Sequence, residues 1–253
     1  MVVCLSGYKT YFDKSPDDSF TVVAGFVSSV EQWAIWEEKW KAVLRHFQVP
    51  YFHMREFTSC REAFSAEKWK DNDYRKDFIV SLVDITKKYT IRSFGGLIEH
   101  TIYNVANKMF EVDKFFNPFA ACGRDCALRV NNFIRQEYKS NLPIAYIFEQ
   151  GDEGKGMLID LMIQSALPAP IFKRSRPDLN NPKLDEDDPP AIQLQAADLL
   201  SWEIRRWKND YVNKKKMRKS LKSFIEMPKI NWKECDCTGM ARLIHSIDIP
   251  KRK

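Results

Sequence analysis

The chain has 253 residues and a formal net charge of +6, and 44% of its residues are hydrophobic. This composition excludes a disordered chain, and the length allows one large domain or two small ones with a sizeable core. The mild positive charge permits a polyanionic partner such as nucleic acid but does not require one.

The sequence carries no pattern typical of export or membrane insertion. No run of about 18 apolar residues predicts a membrane span, and the first residues lack the basic and apolar regions of a secretory signal. Six cysteines are too few for a disulfide scaffold in a chain of this length. We therefore expect a cytoplasmic protein with mostly reduced thiols and no membrane association. The sequence leaves the oligomeric state open.

The N-terminal part predicts a β-hairpin followed by an aromatic helix. Ser6–Asp13 alternates and Ser19–Val27 is a β-branched and aromatic run, while the turn-forming residues KSPDDS connect the two predicted strands. Ser28 and Glu31 predict a capping box at the start of the helix. The residues at helical spacing that predict its core-facing stripe are Trp33, Trp36, Trp40, Val43 and Phe47.

The middle of the chain alternates predicted helices with predicted strands. An irregular segment at 49–57 precedes a helix at 67–88, and further helices are predicted at about 118–138 and 155–165. Strands are predicted within 90–103, 142–149 and 170–176. Because strands and helices alternate after an initial hairpin, we expect an α/β fold with a mixed sheet flanked by helices.

The segment PAIQLQAADLLSWEIRR predicts a helix over Pro190–Arg206 that holds polar residues within an apolar stretch. Gln195, Asp198 and Trp202 are spaced i, i+3 and i+7, so they share one face of that helix. This shared face predicts a polar cleft.

Three acids occur where the local pattern favours apolar or small residues: Asp13 and Glu149 close predicted strands, and Asp198 lies in the apolar helix. Burying a lone carboxylate is costly, and sharing a divalent cation lowers that cost. Oxygen ligands suit Mg²⁺ or Mn²⁺, and two such ions can promote displacement at a phosphodiester. Each acid also has a structural interpretation, as a turn residue, a helix cap and the partner of an arginine respectively.

The segment YFHMREF adds His53 and Glu56, which are three residues apart. In a helical turn they would lie on one side, where either could bind a metal ion or orient a water molecule. For this pair alone, a hydrogen-bonded histidine beside a surface glutamate is the favoured interpretation.

Five segments together resemble the bacterial domain-of-unknown-function 3800 family, in the same order along the chain. They are YFDKSPDDSFTVVAGFV, EQWAIWEEKW, PYFHMREF, IFEQGDEGKG and IQLQAADLLSWEIRR, and they span Tyr11 to Arg206. The resemblance implies a ribonuclease-H-like fold with acids on the first strand, the fourth strand and the last core helix. It also implies a metal-dependent nuclease, with a role in phage defence for some members.

The resemblance assigns those three acids to Asp13, Glu149 and Asp198. It assigns His53 and Glu56 to a segment with a histidine and an acid, inside an insertion between the second and third strands. It implies catalytic roles for all five residues, and the four acids are the expected ligands of Mg²⁺ or Mn²⁺.

One position departs from the family pattern, which reads Asp-Glu-Ser-Gly where this chain has Asp13-Lys14-Ser15-Pro16. Lys14 therefore replaces an acid. Since neighbouring residues of a strand point to opposite faces, we expect Lys14 to point away from Asp13 and the site to survive.

We accordingly expect a ribonuclease-H-like domain over about 1–210, with a helical insertion at about 28–88 between its second and third strands. A basic helical extension over 211–253 is expected to pack on the same domain. The expected function is metal-dependent hydrolysis of DNA or RNA. The alternative is an inactive module of the same fold that binds nucleic acid or protein.

The remaining motifs carry less chemistry. The basic run Arg205–Ser223, with Trp207 and Tyr211, suits phosphate contacts and base stacking, although a solvated helix face explains it equally well. The motifs CGRDC and CDC have poor spacing for a zinc site, and GDEGKG lacks the Ser or Thr of a phosphate loop.

Overall fold

The computed structural model describes residues 7–151, 153–213, 216–225, 230–235 and 239–240. Its strands are β1 (Tyr8–Pro16), β2 (Phe20–Ser29), β3 (Arg92–Glu99), β4 (Ile144–Glu149), β5 (Ile171–Lys173) and β6 (Ile230–Cys235). Its α-helices are α1 (Val30–His46), α2 (Met54–Ser59), α3 (Asn72–Tyr89), α4 (His100–Phe110), α5 (Pro118–Gln136), α6 (Lys155–Gln164), α7 (Pro182–Asp187), α8 (Leu194–Val212) and α9 (Lys219–Ile225). Short 3₁₀ helices lie at Glu62–Phe64, Glu67–Lys70 and Val112–Lys114.

The strands form one mixed sheet in the order β5-β4-β1-β2-β3-β6. The pairs β1–β2 and β2–β3 are antiparallel, whereas β1–β4, β4–β5 and β3–β6 are parallel. The predicted α/β class with a mixed sheet flanked by helices is therefore confirmed.

Helices cover both faces of the sheet, and strand alternation sends side chains into two separate cores. Tyr11 packs in the core that includes α1, α3, α8 and α9, while its neighbour Phe12 packs in the core of α4, α5 and α6. Helix α8 lies on β1 and β2, and α5 lies on β2 and β3 from the other side. Every residue of β1 can thus be assigned to a face by its parity.

Helices α1, α2 and α3 follow β2 and precede β3 along the chain, where the sequence predicted a helical insertion. The aromatic stripe of α1 is buried: Trp33, Trp36 and Trp40 are at most 2% exposed. The predicted capping residue was wrong by one position. Ser29 caps α1 by accepting a hydrogen bond from Gln32 N, whereas Ser28 Oγ donates to Tyr89 O at 2.8 Å.

Several predicted boundaries and elements differ from the structure. Strand β1 continues past Asp13 to Pro16, because its ladder with β2 extends to Pro16↔Thr21. Helix α8 begins at Leu194 instead of Pro190, and the acidic segment before it contains α7. Helix α4 was not predicted.

The C-terminal extension also contains a strand that the sequence analysis missed. Strand β6 pairs in parallel with β3, from Ser93↔Ile230 to Ile98↔Cys235, and so extends the sheet at the edge opposite β5. Residues 241–253 of the predicted extension lie outside the described part of the chain. Among the described helices, none is both long enough and apolar enough to cross a membrane.

Candidate functional site

A cleft of about 550 Å³ opens beside β1, β4 and α8. Four of the five predicted site residues border it, namely Asp13, His53, Glu149 and Asp198. The other bordering residues are Lys14, Ser15, Pro16, Arg55, Ser175, Arg176, Trp202 and Arg205. The fold therefore brings acids from separate parts of the chain to one place, together with several cations.

The sheet register places Asp13 and Glu149 side by side. The parallel ladder of β1 and β4 runs to Phe12↔Phe148, and the two acids are the next residues on these strands. Each acid comes two residues after Tyr11 or Ile147 and so points to the same face of the sheet. Tyr11 and Ile147 pack in the core that contains α8. Since neighbouring strands are about 4.8 Å apart, the two carboxylates start from adjacent backbone positions on the face that α8 covers.

Asp198 reaches the same place from α8 and is held by the segment before α2. Its Oδ2 accepts a hydrogen bond of 2.6 Å from Met54 N. Ser201 Oγ lies 3.3 Å from Asp13 Oδ2 and 3.1 Å from Asp198 O, which links the helix to β1. Among the ion pairs of the described residues, none includes Asp198, so the structure does not support its interpretation as the partner of an arginine.

Burial raises the pKa of the Asp198 carboxyl, because loss of solvent outweighs the favourable effects of His53, the Met54 amide and Arg176. Its ionised form is therefore costly in the absence of further positive charge. A cation bound in the cleft would reduce this cost.

Glu149 lies against the loop that follows β5. Its Oε1 accepts hydrogen bonds from Ser175 N at 3.2 Å and from Ser175 Oγ at 3.1 Å. Strand β5 is aligned with β4 up to Glu149↔Lys173, which brings this loop to the cleft.

The acids converge on the cleft but do not form a closed metal site. Within the described residues, no three His, Cys, Asp or Glu side chains are arranged to hold one ion together. The cleft thus brings together four of the five predicted site residues without arranging three of the described acids as a ready group of ligands. Coordination by the three carboxylates would require their side chains to turn towards one another.

Glu56 lies behind His53. Its Oε1 is 3.0 Å from His53 Nδ1 and also contacts the guanidinium of Arg176, and its Oε2 accepts a hydrogen bond of 2.9 Å from Tyr51 Oη. The side chain of His53 keeps 27% exposure, compared with 12% for Glu56. The arrangement orients the imidazole towards the cleft, and Glu56 does not itself border the cleft.

Cations surround the acids, and sequence analysis did not identify them as site residues. They are Lys14, Arg55, Arg176 and Arg205. Arg205 is held by Ser15 Oγ at 2.8 Å and by Asp17 Oδ2 at 3.4 Å. The basic segments PIFKRSR and WEIRR contain two of them, Arg176 and Arg205, but only the fold shows that these segments meet at the cleft.

The side chain of Lys14 lies partly at the cleft and partly on the opposite side of the sheet. Its ammonium lies 5.4 Å from the ring centroid of Phe119 on α5, across the sheet from α8, while part of its side chain still borders the cleft. This agrees with the expectation that Lys14 and Asp13 point to opposite faces.

The polar residues of α8 also have a structural explanation. Gln195 is 1% exposed, and its Oε1 accepts hydrogen bonds from Trp40 Nε1 at 2.9 Å and from Phe52 N at 3.0 Å. Its Nε2 donates to Ser175 O at 2.8 Å. One side chain thus joins α1, the segment that carries His53, and the loop that carries Arg176.

Comparison with known proteins identifies no relative of this chain. No protein-family model matches the sequence, no curated protein is significantly similar to it, and no solved structure matches it. The resemblance to the domain-of-unknown-function 3800 family therefore stays a prediction based on the five segments quoted above.

Proposed function

We propose that this protein is a divalent-metal-dependent nuclease of ribonuclease-H-like fold that hydrolyses phosphodiester bonds. The observation that supports the proposal is the cleft in which acids from β1, β4 and α8 meet a group of cations. The elements that carry the acids are those that the resemblance implies, since the acids come from the first strand, the fourth strand and the helix after β5. In this proposal the substrate is DNA or RNA.

The donor chemistry of the cleft suits Mg²⁺ or Mn²⁺, because carboxylate oxygens are the ligands that these ions prefer. Asp13, Glu149 and Asp198 would hold the ions after rotation of their side chains. Bound there, a divalent ion would lower the pKa of a water molecule and neutralise charge on the phosphoryl oxygens.

The remaining side chains have roles that follow from their positions. Arg176 and Arg205 border the acids and can contact the phosphates on either side of the scissile bond. His53 lies at the cleft and can carry a proton to or from the reacting oxygen. Glu56 orients the imidazole of His53. We favour this role over that of a metal ligand because Tyr51, His53 and Arg176 already contact its carboxylate.

The proposal is tested by incubating the purified chain with labelled single-stranded and duplex DNA and RNA, in Mn²⁺, Mg²⁺ or EDTA. Asp13→Asn should reduce cleavage at least about 100-fold, since even groups that only support a metal ligand are worth 10–100-fold. The matched control is Asp160→Asn on α6, an exposed acid outside the cleft, which should cleave like the wild type. Cleavage by Asp13→Asn equal to that of Asp160→Asn would contradict the proposed site.

A second prediction separates the roles of His53 and Glu56. His53→Gln should lower kcat by about 10²–10⁴-fold with little change in KM, as expected for the loss of a proton carrier. Glu56→Gln should lower kcat less.

The double variant then identifies how Glu56 acts. If Glu56 works through His53, the double variant should be no slower than His53→Gln alone, because residues that act as a unit are not additive. Multiplied losses in the double variant would instead indicate an independent role for Glu56, such as metal coordination. Single-turnover kinetics on one labelled oligonucleotide would measure all three.

An inactive nucleic-acid-binding module is the second candidate. Lys14 at the position of a family acid favours it, as does the lack of a closed three-ligand group among the described side chains. Calorimetric titration with Mn²⁺ distinguishes the two functions. A nuclease should bind the ion and lose that binding in Asp13→Asn, whereas the module should bind oligonucleotides equally well with or without the ion.

A further inference from the structure

A second cavity, of about 640 Å³, lies between α3 and α9 on the same side of the sheet as the cleft. We call it the α3–α9 groove. Its polar rim carries Arg75, Lys76, Arg218 and Lys219 against a single acid, Asp84, and its apolar lining includes Val80, which is 46% exposed. The groove thus combines a strongly positive rim with accessible apolar surface.

Trp202 lies between the α3–α9 groove and the cleft. The guanidinium of Arg205, which borders the cleft, lies 5.9 Å from the centroid of the Trp202 ring. The guanidinium of Arg218, which borders the groove, lies 5.0 Å from it. Trp202 itself borders the cleft and is half-buried. An aromatic ring flanked by two arginines therefore lies between the two cavities.

The walls of the groove are held in place by contacts that do not involve a ligand. Arg75 lies 4.6 Å from the ring centroid of Phe57 and donates to Phe57 O at 3.1 Å. Helix α9 is attached to α8 through Glu203, which accepts a hydrogen bond of 2.6 Å from Ser220 and pairs with Arg218 at 3.4 Å. Because these side chains are already ordered, binding would cost less conformational entropy at Arg75 and Arg218.

We propose that the α3–α9 groove binds the single-stranded nucleic acid that extends from the cleft past Trp202. This inference rests on the proposed nuclease function and adds the substrate class. The substrate is a single strand that extends several nucleotides beyond the cleaved bond. The four basic residues contact its phosphates, and unpaired bases pack against the apolar lining and against Trp202 with its flanking guanidinium groups. Positive grooves with aromatic platforms are typical of single-strand binding.

The chemistry of the groove favours a single strand over a duplex or an acidic peptide. A duplex presents phosphates but stacks its bases inside, so it would use the basic rim and leave the apolar lining and Trp202 without contacts. The acidic side chains of a peptide would satisfy the charges, but they carry no aromatic surface to pack against Trp202 and the apolar lining.

The test measures binding by fluorescence anisotropy in EDTA, with the full chain and a labelled single strand of about 15 nucleotides, long enough to leave the cleft. The variant Lys76→Glu/Lys219→Glu reverses two charges of the rim, at residues for which the structure shows no ion pair within its described part. Its matched control is Lys39→Glu/Lys108→Glu, which makes the same change of charge at exposed positions of α1 and α4.

The rim variant should bind the strand at least about tenfold more weakly than the control variant. Its slope of log K against log salt should be shallower by about 1.4, which corresponds to two lost phosphate contacts on a single strand. A duplex of the same length should bind the wild type more weakly than the single strand. Thermal melts of both variants confirm that they fold.

Three results would overturn the proposal: equal affinity of the rim and control variants, tighter binding of the duplex, or no binding of the single strand. Cleavage of the same single strand by the wild type in Mn²⁺ reports separately on the nuclease. If that cleavage occurs while the rim variant binds like the control, the path is wrong and the nuclease stands. If cleavage is absent while the rim variant binds weakly, the groove is supported and the nuclease function is refuted.

Discussion

Asp198→Asn is expected to abolish hydrolysis while leaving the metal-free fold as stable as the wild type, or slightly more so. Burial raises the pKa of this carboxyl, so its charge is a burden on the folded state at neutral pH. Asparagine keeps the shape and an oxygen that can accept the hydrogen bond from Met54 N. The variant therefore removes a partly buried charge without leaving that amide unpaired.

The response to metal should distinguish the variant more clearly than its stability in EDTA. An ion that binds only the native state stabilises it by about 2.7 kcal/mol at a concentration 100 times its Kd. Wild type should gain such an increase in Mn²⁺, whereas Asp198→Asn should gain little or none. Cleavage should fall at least about 100-fold, as for Asp13→Asn.

Thermal melts with EDTA and with Mn²⁺ measure both effects in one series. Asp198→Ala is the companion variant, because it leaves the Met54 amide without this acceptor and should lose stability that Asp198→Asn retains. A large loss of stability for Asp198→Asn in EDTA, together with a wild type that does not respond to Mn²⁺, would refute the metal-site interpretation.

Local patterns in the sequence predicted the elements whose periodicity is strong. The alternation in β1 and the aromatic stripe of α1 gave the correct element types, and parity correctly placed Lys14 and Asp13 on opposite faces. Polar residues on one face of an apolar helix also predicted the cleft beside α8.

Features that depend on contacts between residues far apart in the sequence could not be predicted from local patterns. Strand β6 forms because an edge of the sheet beside β3 accepts it, and nothing in its own short sequence specifies that partner. Arg176 and Arg205 belong to the cleft only because the loop after β5 and the end of α8 meet there. The resemblance assigned Glu56 as a metal ligand, and its contact with the distant Arg176 could not be predicted from the segment PYFHMREF.

Gln195→Met is expected to cause the largest loss of stability of any change considered for this chain. The wild-type amide oxygen accepts two buried donors, Trp40 Nε1 and Phe52 N, and the amide nitrogen donates to Ser175 O. Methionine fills a similar volume but can satisfy none of them. Since each unsatisfied buried group costs about 1–3 kcal/mol, the two donors alone predict a loss of about 2–6 kcal/mol.

A control on the same helix tests whether the effect depends on these particular bonds. Gln193 is also buried, but its amide donates to Glu37, whose side chain is 34% exposed and can turn to water. Gln193→Met should therefore cost much less than Gln195→Met. Chemical denaturation with a common slope would measure both free energies of unfolding.

A double-mutant cycle with Trp40→Phe then identifies the mechanism. Phenylalanine lacks the indole N–H, so in the Trp40→Phe background Gln195→Met leaves one buried donor fewer without a partner. The loss caused by Gln195→Met should accordingly be smaller in that background by at least about 1 kcal/mol. If the two changes were instead additive within about 0.5 kcal/mol, the hydrogen bond between Trp40 and Gln195 would not account for the loss caused by Gln195→Met.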